Sequence, residues 1–256
     1  MSTPHDSAAL ARLVNVERQL ESLQSTLDFT GGSTPVGIIA LAFGHRARSL
    51  YLGIRHSAEG PSEAAAQAAL RALVEQTIIL PWLLLDRDVH PTLWKAENER
   101  HLRNLIRDGP AKSGSGSAAL LSARVSPQVL ANLERWVDEA RALAIEKHVV
   151  GVRESGSLLP GLDVMTAQIG TAEAKEAYFI AYSLISGWTH SSAGALGMVF
   201  RPDGVLFENG PVEDTAPIRS MAAAAYLYVL EIVSREVGLA IEDEAGSPRK
   251  QLLHPA

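Results

Sequence analysis

Cysteine is absent from this chain of 256 residues. Without thiols the protein has no disulfide, no cysteine nucleophile and no thiolate ligand for a metal. A chain of this length can bury a stabilising core without such cross-links. A secreted scaffold held together by disulfides is therefore excluded, and we expect a protein of a reducing compartment, the cytoplasm.

Aromatic residues are also scarce, at 5% of the chain, although 46% of its residues are hydrophobic. The interior must therefore be built mainly from leucine, alanine, valine and isoleucine, and the first two of these are strong helix formers. We predict an all-α protein with a single helical domain of about seven helices. One small β-hairpin is predicted near residues 198–208, where Pro202 and Gly204 suit a tight turn between two short apolar runs.

Basic residues are fewer than acidic ones, 23 against 29, which gives a formal net charge of −6. The surface as a whole repels nucleic acid and anionic lipid, so we do not expect a nucleic-acid-binding protein. Of the 23 basic residues only five are lysine. Arginine suits bidentate contacts to anions, but the base composition of a genome produces the same bias.

Export and membrane signals are weak. Residues 1–6 lack the basic start and apolar block of a signal peptide. Residues 177–200 carry no formal charge and are long enough to span a bilayer, but they include four serines, a threonine, a histidine and three glycines. Because these groups are costly in lipid, we predict a buried helix and no membrane span.

The chain divides into three predicted regions. Residues 1–30 form an amphipathic helix, residues 36–238 form the helical domain with a flexible loop near 109–126, and residues 239–256 form a disordered tail. The first helix either lies on the body or pairs with a second copy in a homodimer. Its apolar seam repeats at alternating spacings of three and four residues, at Leu13, Val16, Leu20, Leu23 and Leu27.

Capping residues, prolines and glycines predict where several helices of the domain begin, end or bend. Ser126 and Pro127 begin one helix, and Thr171 caps another that runs to about Ser192. Gly109-Pro110 ends the helix that starts near His90. Pro81 is expected to kink the helix that runs from Ser62 through Leu85.

Five polar residues form the main candidate site, which we call the polar cluster. Tyr182, Ser186 and His190 follow one another at intervals of four and so share one helix face. Arg71 and Glu75 share a face of an otherwise apolar helix, where a charge pair is costly unless it is hydrogen-bonded. Docking the two helices would satisfy both sets of groups.

The segments LRALVEQ and YSLISGWTHSS together resemble an uncharacterised bacterial family of helical proteins. Its hallmark is Arg-x3-Glu on one helix and Tyr-x3-Ser-x3-His on a later one, and the resemblance covers roughly residues 64–192. It implies a helical fold with a shared polar core, and it implies no activity.

The polar cluster has two interpretations. It is either an internal network that fixes helix register or a pocket for a small molecule or nucleotide. In the pocket, Glu75 would orient His190 as a general acid or base, Arg71 would hold an anionic group, and Tyr182 and Ser186 would align the substrate. The residues assign no reaction, and whether the protein is an enzyme stays open.

A basic stripe follows one side of the second helix. Arg48 and Arg55 are its candidates for binding phosphate, and the alternative is a solvated face. Glu97 and His101 are spaced as metal ligands can be, but no third ligand accompanies them and a helical salt link on the surface explains them better. We predict no metal and no cofactor.

The architecture also loosely resembles helical ribonucleases of the HEPN class, which act in defence or as toxins. Their motif is an arginine followed after four to six residues by a histidine. Arg141 to His148 and Arg249 to His254 match it, but the composition produces about two such matches by chance. A HEPN-like ribonuclease and an interaction scaffold with a purely structural polar core are therefore the alternative functions.

Overall fold

The computed structural model describes residues 14–15, 17–19, 34–58, 63–113, 125–152, 156–181 and 216–238. Nearly all of them are helical and no strand occurs among them, so the all-α prediction is confirmed. The hairpin predicted near 198–208, the tail predicted at 239–256 and the five apolar residues of the N-terminal seam lie outside the described residues. Dimerisation through that seam stays a prediction.

Seven helices have defined bounds, and residues 14–19 include a further helical stretch. In chain order the seven are α1 (Pro35–Ala58), α2 (Glu63–Leu85), α3 (Val89–Ser113), α4 (Pro127–Glu146), α5 (Leu162–Ile169), α6 (Ala172–Phe179) and α7 (Ala216–Val237).

Local capping begins two of these helices as the sequence predicts. Ser126 accepts a hydrogen bond from the Val129 amide ahead of Pro127, and Thr171 accepts one from the Ala174 amide. The end of α3 was predicted wrongly, since the helix runs past Gly109-Pro110 to Ser113. A proline so close to the end of a helix removes only one hydrogen bond, which is too little to stop it there.

The described residues form two compact units, and the single helical domain stays a prediction. The first contains the described residues up to Pro81 and from Ile169 onward, and the second spans Trp82–Gln168. The division falls inside α2, at the proline that was expected to kink it. Proline has no amide hydrogen to donate to the carbonyl one turn earlier, so the helical ladder has its weakest point at that residue.

In the first unit α1 and α7 pack side by side and run in opposite directions. Tyr51 stacks on Tyr226 with ring centroids 4.9 Å apart, and further along the pair Gly44 faces Val233. A Cβ at position 44 would stand 3.4 Å from a Val233 methyl, an ordinary van der Waals contact. The aromatic stack and the contact between Gly44 and Val233 thus mark two points of this interface.

In the second unit α3 packs against α4 around one apolar cluster. Its buried members are Val89, Leu93, Ala96, Val137, Ala140, Ala144 and Leu158. Along each helix these residues recur at spacings of three and four, which places them on a single face. Leu158 comes from the segment after α4 and closes the cluster.

Residues 65–85 of α2 are long and apolar enough to cross a membrane by length and composition. Half of the most apolar window is buried inside the protein, and core helices of soluble proteins meet the same criterion. Leu70, Leu73 and Ile78 are fully buried there. The arrangement is consistent with a soluble protein, and most of the uncharged stretch at 177–200 lies outside the described residues.

Replacing Leu93 by alanine tests the core of the second unit. Leu93 is fully buried, so the variant should lose about 2–5 kcal/mol of unfolding free energy through lost burial and the cavity left behind. Urea denaturation followed by circular dichroism measures the loss. Leu105→Ala is the control, because Leu105 lies on the same helix with its side chain exposed, and its change should stay within about 0.5 kcal/mol. Equal losses in the two variants would contradict the assigned core.

Candidate functional site

Arg71 and Glu75 form a salt bridge within α2, with Nε 2.9 Å from Oε1. The sequence suggested a buried pair, and the side chains are partly buried, retaining 23% and 28% of their exposure. The pair is therefore less costly to desolvate than a fully buried pair. Tyr182, Ser186 and His190, the other members of the polar cluster, lie outside the described residues, so their meeting with Arg71 and Glu75 stays a prediction.

A cavity of about 430 Å³ lies beside α2 within the first unit. Helix α2 contributes Val74 and Thr77 to its wall; α6 and the residue after it contribute Ala172, Glu173, Glu176, Ala177 and Ile180; and α7 contributes Ser220, Met221, Ala224, Ala225, Leu227, Tyr228 and Glu231. Arg71 and Glu75 are not lining residues, because Val74 and Thr77 point to a neighbouring side of α2.

Helix α7 presents different faces to this cavity and to α1. Ser220, Ala224 and Leu227 line the cavity, whereas Tyr226 and Val233 face α1. At 100° per residue these two sets lie on roughly opposite sides of the helix. The same helix therefore carries the core on one side and the cavity on the other.

The charged side chains among the described lining residues are all carboxylates: Glu173, Glu176 and Glu231. The remaining wall is mainly apolar, with polar contributions from Thr77, Ser220 and Tyr228. The Thr77 hydroxyl donates to the Val74 carbonyl at 2.7 Å, so its proton is already engaged. The cavity thus combines a mainly apolar wall with negatively charged side chains. Elsewhere too, the part of the chain that the structure describes has no group of three histidine or carboxylate side chains placed to hold a metal ion.

A second cluster of polar contacts surrounds Glu97 in the second unit. Its carboxylate accepts two hydrogen bonds from Arg100, one from the Leu158 amide at 2.8 Å and one from the Ser157 hydroxyl at 3.1 Å. Glu97 keeps only 8% of its side-chain exposure. The interpretation of Glu97 and His101 as a link on the protein surface is therefore wrong for Glu97, although His101 itself is exposed and approaches it at 3.2 Å.

Burial by itself raises the pKa of Glu97, but the hydrogen bonds from Arg100 and the Leu158 amide, with the positive charge of Arg100, outweigh it and lower the pKa below its ordinary value. The hydrogen bond with Glu97 raises the pKa of Arg100 in turn. The spacing of Glu97 and Arg100 along α3 is readable from the sequence. The contacts to Ser157 and Leu158 are not, because they join positions about 60 residues apart.

A third cluster joins the end of α2 to α3 and α5 inside the second unit. The His90 ring stacks on Trp82 at 3.9 Å between centroids, and its Nδ1 lies 2.7 Å from the Trp82 carbonyl. A carbonyl can only accept, so Nδ1 carries the proton. The Trp82 indole donates to Gln168 at 2.6 Å. These contacts fix the packing of two buried rings.

The predicted phosphate-binding residues have different environments. Arg48 is exposed on α1, whereas Arg55 is partly buried and pairs with Glu17, its Nε 3.7 Å from Oε1. Glu17 belongs to the N-terminal segment and is also hydrogen-bonded by Arg219 of α7. At Glu17, therefore, this segment lies on the body of the first unit.

The residues that suggested a ribonuclease are explained in part by local structure. Arg141 donates to the Gly156 carbonyl at 2.9 Å and so holds the segment after α4. His148 adopts a positive φ of 53° just beyond the end of that helix and is exposed. Arg249 and His254 lie outside the described residues.

Glu97→Gln should destabilise the second unit by about 3 kcal/mol at neutral pH, the lower end for breaking a buried ion pair, since Arg100 keeps some exposure. Because folding lowers the pKa of Glu97, its contribution is complete above the unfolded-state pKa, near 4.3, and is lost as pH falls through the lower folded-state value. Urea denaturation of both proteins at neutral pH and below about pH 4 should therefore show a difference that shrinks in acid.

Glu139→Gln is the matched control, because Glu139 forms an exposed salt bridge on α4 at 3.9 Å. Its loss should cost less than about 1 kcal/mol. If the difference in unfolding free energy between Glu97→Gln and the unmodified protein grew as the pH fell, folding would raise the pKa of Glu97, which would contradict the assigned direction.

No protein-family model, no curated protein and no solved structure matches this chain. The resemblance to the bacterial helical family is therefore untested, and any function must be argued from the geometry alone.

Proposed function

We propose that the protein binds a small molecule in the cavity between α2, α6 and α7, and that this ligand has an apolar body and a positively charged group. The cavity of about 430 Å³ is the observation that carries the proposal. Ligand sites typically enclose about 300–1,000 Å³ behind mostly apolar walls with a few polar groups, and this cavity has both properties.

The sign of the charge narrows the ligand class. Glu173, Glu176 and Glu231 are the charged groups among the described lining residues, and carboxylates attract a protonated amine in preference to a phosphate. Tyr228 adds an aromatic ring to the wall, and the faces of such rings attract cations. The cavity therefore supports a small-molecule site, and the nucleotide pocket predicted at the polar cluster stays a prediction.

The polar cluster stays part of this proposal as a neighbouring element. Arg71 and Glu75 occupy the side of α2 next to Val74, which lines the cavity. If Tyr182, Ser186 and His190 meet that pair, His190 would stand ready as a general acid or base beside a bound ligand. Binding is proposed on the cavity alone, and no reaction is assigned. The absence of cysteine supports the cytoplasm as the place of function.

Three probes with one apolar body test the ligand class: 1-naphthylmethylammonium, 1-naphthylmethanol and 1-naphthoate. Isothermal titration calorimetry should rank them cation, neutral, anion in order of falling affinity, because the carboxylates favour positive charge. Glu176→Gln should weaken binding of the cation about two- to five-fold, as one exposed ion pair is worth roughly 0.2–1 kcal/mol, and should leave the alcohol unchanged. An anion that binds as tightly as the cation would refute the charge argument.

Ala224→Phe tests the location of the site. Ala224 lines the cavity at an exposed position, so the added ring should fill the space and abolish binding of all three probes without unfolding the protein. Ala142→Phe is the control, since Ala142 is exposed on α4 in the other unit. Undiminished binding in Ala224→Phe, with its fold confirmed by circular dichroism, would place the ligand elsewhere.

A further inference from the structure

The part of the cavity wall that α2 contributes contains a threonine whose hydroxyl proton is already used. Thr77 lines the cavity and is buried, with 5% of its surface exposed. Its hydroxyl donates to the Val74 carbonyl at 2.7 Å. A hydroxyl has one proton and two lone pairs, so the oxygen of Thr77 has no second proton to give. Towards a ligand in the cavity, this hydroxyl therefore acts as a hydrogen-bond acceptor.

The backbone carbonyl of the same residue is a second acceptor. In a regular α-helix the carbonyl of Thr77 would accept a hydrogen bond from the amide four residues later, at position 81. That position is Pro81, which lies inside α2 and has no amide hydrogen. The carbonyl oxygen of Thr77 thus lacks the donor that a regular helix supplies. One residue of the wall therefore carries two oxygens that can accept.

The burial of Thr77 gives these two oxygens an influence on ligand choice. A buried acceptor that is cut off from water without a new donor costs free energy. A ligand that covers Thr77 and has no hydrogen-bond donor would incur that cost. A ligand with N–H groups replaces the hydrogen bonds to water and avoids it.

Charge by itself does not make this distinction. The carboxylates of the wall and the ring of Tyr228 attract a positive charge whether or not its nitrogen carries hydrogen atoms. A primary ammonium group has three N–H donors, as the lysine side chain has. A quaternary ammonium group carries the same charge and has no donor. The two kinds of cation therefore differ in hydrogen bonding and not in net charge.

We propose that the cavity selects a primary amine over a quaternary ammonium ligand, and that Thr77 determines this selectivity. The inference rests on the function proposed above, and it narrows the ligand from any cation with an apolar body to one with N–H donors. N–H groups of the ammonium donate to the hydroxyl oxygen and to the carbonyl oxygen of Thr77. Pro81 is a positioning residue, because it acts by leaving that carbonyl open and does not itself bind the ligand.

Two probes of equal charge and with one apolar body test the selectivity: 1-naphthylmethylammonium and its N,N,N-trimethyl derivative. Isothermal titration calorimetry of the full chain should give the primary ammonium the lower Kd by about three- to ten-fold, the effect of one hydrogen bond made or lost. The carboxylates also accept hydrogen bonds from the primary probe, so variants at Thr77 and Pro81 are needed to assign the preference.

Pro81→Ala tests the carbonyl. Alanine restores the amide hydrogen that binds the Thr77 carbonyl and favours the helix, so the variant should fold. It should weaken binding of the primary ammonium by about three-fold or more and leave the trimethyl probe unchanged. Pro127→Ala is the matched control in the other unit, since Pro127 occupies the first position of α4, where an amide hydrogen has no partner in the helix. It should alter the binding of neither probe.

Thr77→Val tests the hydroxyl. It removes the acceptor oxygen and keeps a branched side chain, so it should also lower the affinity ratio between the primary and the trimethyl probe. Circular dichroism confirms the fold of both variants. Should Pro81→Ala fail to fold, the ratio in Thr77→Val decides.

The outcomes separate this inference from the function on which it rests. If the two cations bind equally well, or if the primary ammonium keeps its full advantage in the folded variants, the cavity binds cations but Thr77 does not select them, and the inference is wrong. Equal weakening of both probes would show a change in cavity shape and would likewise contradict a role for hydrogen bonds at Thr77. If neither cation binds, the proposed function fails and this inference fails with it.

Discussion

The packing of α7 against α1 is the contact on which the first unit depends. Gly44 faces Val233 across this interface, and Tyr51 stacks on Tyr226 further along it. With few aromatic residues in the chain, this stack is a concentrated source of buried area, since both tyrosine side chains are almost fully buried. Because this interface buries one side of α7, its opposite side is left to line a cavity.

Two buried carboxylates, those of Glu97 and Glu17, form ion pairs and hydrogen bonds with residues that hold them in place. Glu97 is held by Arg100 and by the segment at 157–158, and Glu17 is held by Arg219 of α7, about 200 positions away along the chain. A buried carboxylate contributes little net stability unless its partners are in place, but it strongly disfavours any arrangement in which they are not. These carboxylates therefore fix where a connecting segment and an N-terminal segment lie.

Charge of opposite sign is separated across one helix. The cavity side of α7 carries Glu231 and faces Glu173 and Glu176, whereas the side towards α1 carries Arg219 near Arg55. The net charge of −6 does not reveal this separation, because it adds up all the charges without regard to where they lie.

The sequence alone determined the helical class and the starts of α4 and α6, because hydrophobic periodicity and capping by Ser126 and Thr171 act within a few residues. The tertiary structure alone decided the division into two units, the burial of Glu97 and the cavity. Each of these depends on which faces of distant helices meet, as when Leu158 donates to Glu97. The spacing along one helix shows that Arg71 and Glu75 share a face. Only the packing decides how far that face is buried, because burial depends on which other elements of the fold cover it.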